Sequence, residues 1–179
     1  MQNWINQIHQ GDNLEILKKM PSDFVDLIIT SPPYWNLRIY IDEKHPDYKK
    51  QIGLEKSFKE YQDRLMVVIS ELKRVLKKTG QFWLNMGDCY GGVKSGKTDE
   101  ISNERLKTSQ IGLKKNASAY TKCLMMMPER IALAMIDDGW VLRNKIIWAK
   151  QVLDFKNKRT YGSAMPTAAT DRFNESAEY

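Results

Sequence analysis

Cysteine and histidine are scarce in this sequence. Its 179 residues include two of each: Cys89 and Cys123, His9 and His45. Two cysteines cannot build a disulfide framework, and with two isolated histidines they make no metal cluster. No metal ligand is therefore assigned, neither histidine is given a role, and the reducing cytoplasm is the expected setting. Long apolar runs are also lacking, since none approaches the roughly 20 residues that span a bilayer. Met1-Gln2-Asn3-Trp4 has neither the basic end nor the apolar core of a signal peptide. No membrane partner is expected, and there is no internal repeat or low-complexity tract. What remains is 42% apolar and 28% charged, ordinary for one globular domain. The net charge of +6 favours a polyanionic partner, although solvated lysine faces produce the same balance.

The most informative stretch is Phe24-Val25-Asp26-Leu27-Ile28-Ile29-Thr30-Ser31-Pro32-Pro33-Tyr34-Trp35. Its apolar, β-branched first part reads as a strand buried on both faces, as in parallel sheets. Proline cannot donate to a sheet ladder, so the strand ends where the prolines begin. A stiff polar and aromatic tip then sits at the carboxyl end of a buried strand, where ligands bind in open α/β sheets.

The flanking segments alternate in type. Trp4 to Gln10 is expected to form a short strand, and Leu14 to Met20 a helix opened by an Asp12/Glu15 capping box and stopped by Pro21. With the Phe24 strand these make a βαβ unit. Residues 36–53 are irregular. A second capping box, Ser57 with Glu60, opens a long helix whose Phe58, Tyr61, Leu65, Val68, Ile69, Leu72, Val75 and Leu76 form one buried stripe. Lys77-Lys78-Thr79-Gly80 is expected to close that helix, and Gln81 to Met86 to be the next strand. Residues 91–122 carry seven Lys/Arg against three Asp/Glu and read as a long basic loop. Pro128 starts a further helix that ends at Asp137-Asp138-Gly139. Trp140 to Lys150 reads as the last clear strand, with a polar, loop-like stretch from Gln151 onward. The order β-α-β-α-β-loop-α-β implies a three-layer α/β fold with a mostly parallel sheet.

Thr30-Ser31-Pro32-Pro33-Tyr34-Trp35 resembles motif IV of the amino-group DNA methyltransferases in its Ser-Pro-Pro-Tyr form. Gly11-Asp12-Asn13-Leu14-Glu15-Ile16-Leu17 before it, Trp83-Leu84-Asn85-Met86-Gly87-Asp88 after it, and Asp138-Gly139-Trp140 leading into Arg143 to Lys150 follow the family's order. With the catalytic motif near the N-terminus, the order is similar to that of the β group. The resemblance implies a Rossmann-like methyltransferase fold within a partial catalytic domain spanning 1–179. It also implies methyl transfer from S-adenosyl-L-methionine to an exocyclic amine of duplex DNA, with the target base flipped out, as part of a restriction-modification or related system.

Such an amine is a poor nucleophile because its lone pair is delocalised into the ring. Acceptors on its hydrogens favour a pyramidal nitrogen. By the resemblance these are the Ser31 side chain and the Pro32 carbonyl, with Pro33 stiffening the backbone and Tyr34 stacking on the base. Asp12, Thr30 and Ser31 would face the cofactor. Trp35, Asn85, Asp88, Trp148, Lys94 and Lys97 would contact base or DNA. Serine at the head of the motif favours N4 of cytosine over N6 of adenine.

Each assignment has a plainer alternative. Asp12 serves a capping box, Gly87-Asp88 a turn, and Trp148 a core strand. The basic loop with Arg105, Lys107, Lys114 and Lys115 either touches phosphates or is merely solvated. Gly91-Gly92-Val93-Lys94-Ser95-Gly96-Lys97-Thr98 satisfies the nucleotide-binding P-loop pattern, and Ile136-Asp137-Asp138 imitates a magnesium-binding strand end. A P-loop must open a well-packed helix, however, and 99–110 offers only Ile101 and Leu106 among polar residues. A non-catalytic DNA-binding remnant is the third reading. The family's Phe-x-Gly-x-Gly cofactor loop occurs nowhere in the sequence. The expectation is therefore a catalytic half that is inactive alone and served by a complementing subunit or C-terminal half, with 151–179 beginning the target-recognition or last-strand region.

Overall fold

The computed structural model describes residues 4–35, 37–91, 120, 123–149, 151–154, 159–162 and 177–178, with side chains as far as Trp148. Strand β1 (Val25–Thr30) lies parallel to β2 (Leu76–Leu84). Between them in sequence runs helix α2 (Phe58–Val75), so strand, helix and strand form one parallel crossover. Ser57 caps α2 by accepting from the Glu60 amide at 3.2 Å, and Glu60 reaches back to the Lys56 amide at 3.0 Å. Tyr61, Leu65, Val68, Ile69 and Val75 of its stripe are buried. Helix α3 (Met127–Asp137) adds Met127 and Ile131 to the same core, which also takes in Trp35, Met86 and Met125.

Register determines which sheet face this core covers. Ile28 pairs with Phe82 and Thr30 with Leu84, while Leu27 pairs with Gln81 and Ile29 with Trp83. Paired residues share a face and neighbours alternate. Phe82 and Leu84 pack on the core, so the helices lie on that side. Leu27, Ile29 and Trp83 on the other side are exposed.

Helix α1 (Asn13–Leu17) is short, and Arg74 holds its end in place. That guanidinium donates to the carbonyls of Leu17 at 2.7 Å and Met20 at 2.9 Å. At the other end of α1, Asp12 Oδ1 accepts from the amides of Leu14 and Glu15. The remaining strands are brief: β3 (Trp148–Ala149) pairs with β6 (Ala177–Glu178), and β4 (Gln151–Asp154) with β5 (Arg159–Gly162), both antiparallel.

Three local expectations are corrected. Residues 4–10 form no strand. Ile5 and Ile8 would point to opposite faces of a strand, so the segment has no apolar face to bury. Instead it turns at Asn6, stacks Trp4 on His9 and leaves Ile8 fully exposed. Lys77-Lys78-Thr79-Gly80 does not close α2, which ends at Val75 and passes straight into β2. The ladder steps from Val25/Leu76 to Leu27/Gln81, so those four residues bulge out of it. The bulge is crowded at Gly80, where a Cβ would stand 2.9 Å from Leu76 Cγ and 3.0 Å from the Asp26 carbonyl. Finally, among the described residues the expected strand over 140–150 is realised only at Trp148–Ala149. Val141, Leu142, Ile146 and Ile147 lie outside any ladder and are exposed.

Candidate active site

The tip begins where β1 ends. The Asn85 amide donates to the Thr30 carbonyl at 2.9 Å, keeping the two strand ends level. Ser31 is exposed just beyond, and its Oγ lies 3.1 Å from the Tyr34 hydroxyl. Either oxygen can donate, and in both directions Ser31 keeps an acceptor lone pair.

Behind the prolines the backbone is fixed from α2. The fully buried Tyr61 donates its hydroxyl to the Pro33 carbonyl at 3.0 Å. Burial, reinforced by the Glu55 carboxylate, holds the Tyr61 phenol well above the usual tyrosine value, so it remains a donor. The segment 37–55 supplies the other supports. Gly53, at φ +101°, lets its backbone pass so close to the tip that a Cβ would stand 3.0 Å from the Tyr34 carbonyl. Trp35 donates its indole N–H to the Glu55 carbonyl at 3.0 Å. Glu55, itself buried, accepts from the Gly53 amide at 2.8 Å and from Arg64 at 2.7 Å. Arg64 also donates to the carbonyls of Lys50 at 2.6 Å and Gln51 at 2.9 Å. Gly87 lies beneath the Tyr34 ring, where a Cβ would meet Cε2 at 2.8 Å.

The expected site residues divide accordingly. Thr30, Ser31, Pro32, Pro33, Tyr34 and Asn85 come together at the tip. Trp35 belongs to the core, being 7% exposed and edge-on to Phe58. Asp88 ties strand end to helix, its Oδ1 accepting from the amides of Cys89 at 2.8 Å and Met127 at 3.0 Å. Asp12 spends Oδ1 on the α1 cap, and among the described residues no hydrogen bond joins it to the tip. Trp148 is exposed rather than core. Lys94 and Lys97, with nearly all of the 91–122 loop and the P-loop-like octad, lie outside the described residues. The acidic pair that completes a P-loop reading is helical, Asp137 being the last residue of α3 and Asp138 its cap. Among the described residues no group of His, Cys, Asp and Glu could hold a metal, and no helix is long and apolar enough to cross a membrane.

A family model described as DNA methylase matches residues 25–179. The chain belongs to the N6/N4 DNA methylase family. Type II methyltransferase M.Cfr9I of Citrobacter freundii is 36% identical over 173 residues, covering 96% of this chain and 52% of that protein. M.SmaI of Serratia marcescens is 32% identical over 171 residues, covering 94% and 52%. Among solved structures, the cytosine-N4-specific PvuII DNA methyltransferase superposes with TM-score 0.53 at 17% identity, over 94% of this chain and 45% of that one. A putative DNA modification methylase of Thermus thermophilus, in complex with S-adenosyl-L-methionine, gives 0.52 at 20% identity, over 94% and 51%. These likenesses establish the Rossmann-like α/β fold. This methylase chain spans about half the length of the curated relatives it matches.

Sequence reasoning missed Tyr61, Gly53, Glu55 and Arg64. Tyr61 carried only the signal of its place in the α2 stripe. The other three had no signal at all before the loop's course was known.

Proposed function

We propose that this chain forms the base-holding part of a DNA methyltransferase acting on an exocyclic amine, with N4 of cytosine as the target. The observation that carries this is the exposed Ser31 Oγ beside a proline backbone clamped from behind by Tyr61. Ser31 Oγ and the Pro32 carbonyl accept from the amino hydrogens of a flipped base and draw its nitrogen toward pyramidal geometry, while Tyr34 offers its ring for stacking. A clamped backbone holds these acceptors in place before the base arrives. The likeness to a cytosine-N4-specific enzyme and the serine at the motif's head support cytosine over adenine.

S-adenosyl-L-methionine supplies the electrophilic methyl group in such chemistry. The residues described here do not make a site for it by themselves. There is no Phe-x-Gly-x-Gly loop, and Asp12 has one oxygen committed to capping α1. The donor is held by a complementing half, and the enzyme works on duplex DNA in the cytoplasm of a prokaryote or its phage, within a restriction-modification system.

The test is methyl transfer after supplying the other half, read as methylated nucleosides by mass spectrometry. N4-methylcytosine is expected, falling on the order of 100-fold with Ser31→Ala, the scale of losing one positioned hydrogen-bonding group. N6-methyladenine would refute the cytosine assignment. No product from an intact assembly would favour the DNA-binding remnant.

A further inference from the structure

Arg130 is the fourth residue of α3, at the helix end where the dipole disfavours a cation. Its guanidinium is nevertheless held firmly there. Nε donates to the Met125 carbonyl at 2.8 Å, and the group lies over the Phe58 ring at 5.1 Å and over the Tyr120 ring at 5.8 Å. Among the described residues no carboxylate neutralises it. Arg64 and Arg74 pair with Glu55 and Glu71, whereas Glu129, next to Arg130, gives its carboxylate to Lys145. The Nη atoms have no hydrogen-bond partner among the described residues, and they are not sealed from solvent.

Packing does not call for a charge here, because an apolar stem would cover the two rings without opposing the helix dipole. A planar fork fixed at one nitrogen, stacked on rings and lacking a carboxylate is instead suited to a phosphate, taken end-on through both Nη atoms. We propose that Arg130 binds a phosphodiester of the DNA strand whose base enters the tip. It stands at the right end of the sheet. The Phe58 ring is also 6.3 Å from that of Trp35, which directly follows Tyr34. Met125, the acceptor for Arg130, pairs with Cys89, two residues beyond the Gly87 that underlies the Tyr34 ring. A DNA strand carries a phosphate about every 3.4 Å along its axis, so one that delivers a base to Tyr34 also brings phosphates past Arg130. This rests on the proposed function only in taking DNA as the partner.

Anisotropy of a fluorescein-labelled duplex, read with this chain between about 50 and 200 mM salt and without donor, tests the contact. Arg130→Met keeps a stem over the two rings and removes the charge. It should weaken binding on the order of 10-fold and lower the slope of log affinity against log salt by about 0.9, the share of one phosphate. Arg130→Lys keeps the charge without the fork, so binding should weaken while the slope stays near that of the unaltered chain. Lys78→Ala removes an exposed cation near the start of β2, at the opposite end of the sheet, and should change neither. Thermal melts verify that each variant folds; were Arg130→Met not to fold, Arg130→Lys binding as tightly as the unaltered chain would overturn the proposal. An Arg130 that only packs the rings would leave the slope unmoved in Arg130→Met, which overturns the proposal too. So would a duplex that the unaltered chain does not bind, or a slope that Lys78→Ala lowers equally. Inorganic phosphate that raises the Tm of the unaltered chain but not of Arg130→Met, with the DNA slope unmoved, would make this a site for the free anion instead. A slope lowered as expected, beside an assembly that makes no methylated nucleoside, would refute the proposed reaction and leave the phosphate contact standing.

Discussion

Replacing Tyr61 by Phe removes one oxygen from a fully buried ring and leaves the packing of the α2 stripe intact. The lost group is the donor to the Pro33 carbonyl, 3.0 Å away and 28 residues earlier in the chain. An acceptor left without its partner in such surroundings costs about 1.5 kcal/mol. For a domain of this size that corresponds to a fall of about 3–6 °C in Tm.

Linkage to pH gives a second reading of the same bond. The folded phenol titrates well above its unfolded value, chiefly because it is buried and secondarily because of Glu55. A raised folded pKa means the native state holds its proton more tightly. That stabilisation is complete below the unfolded pKa of about 10 and is lost as pH rises from there toward the folded value. One unit above it the loss is about 1.4 kcal/mol. The Phe variant has no such proton, so the gap between the two proteins should be widest at neutral pH and nearly closed at pH 11. Paired urea melts across that range isolate the group, since the other tyrosines and the lysines titrate in both proteins. Equal stability at pH 7, or a gap that stays constant on going alkaline, would refute the clamp.

Gly87→Ala should displace the Tyr34 ring from its place above the backbone, costing about 1–3 kcal/mol as overpacking does; unchanged Tyr34 ring resonances in an NMR spectrum would count against it. Asp88→Ala removes the acceptor for both the Cys89 and Met127 amides. A loss of about 1–2 kcal/mol is expected in urea, with faster hydrogen exchange at the start of α3. Arg64→Ala strips the cation from the buried Glu55 carboxylate and from two loop carbonyls. Because the guanidinium is itself partly exposed, the cost should stay near 2–3 kcal/mol, accompanied by faster exchange across 37–55.

Local signals proved sufficient where an element is specified by its own residues. Asp12 and Ser57 cap the helices they were read to cap, Pro128 stands in the first turn of α3, and the Phe24 strand stops at its prolines. They failed where an element depends on a neighbour. The segment from Val141 to Ile147 places apolar pairs, Val141-Leu142 and Ile146-Ile147, on either side of Arg143-Asn144-Lys145, yet β propensity expresses packing against partner strands, and none pairs with it among the described residues. The site divides along the same line. Ser31, the prolines and Tyr34 are contiguous, so they could be read together. Their support comes from Tyr61, Gly53 and Glu55, which only the path of α2 and its preceding loop brings near.

That support has a further consequence. Among the described residues, the groups that support the prolines and Tyr34 — Tyr61 on α2, Gly53 and Glu55 in the loop, Gly87 beyond β2 — lie outside the exposed Leu27/Ile29/Trp83 face. Covering that face would therefore leave the tip's geometry alone, because the Tyr61 bond to the Pro33 carbonyl would not have to be exchanged. On the proposed function, the base-holding tip is preorganised by this chain's own residues before a base or a donor arrives. A chain clamped from the partner's side would need assembly to order its tip. This one should show the same Tyr61-dependent stability and the same slow exchange of the Trp35 indole N–H whether or not the open face is occupied.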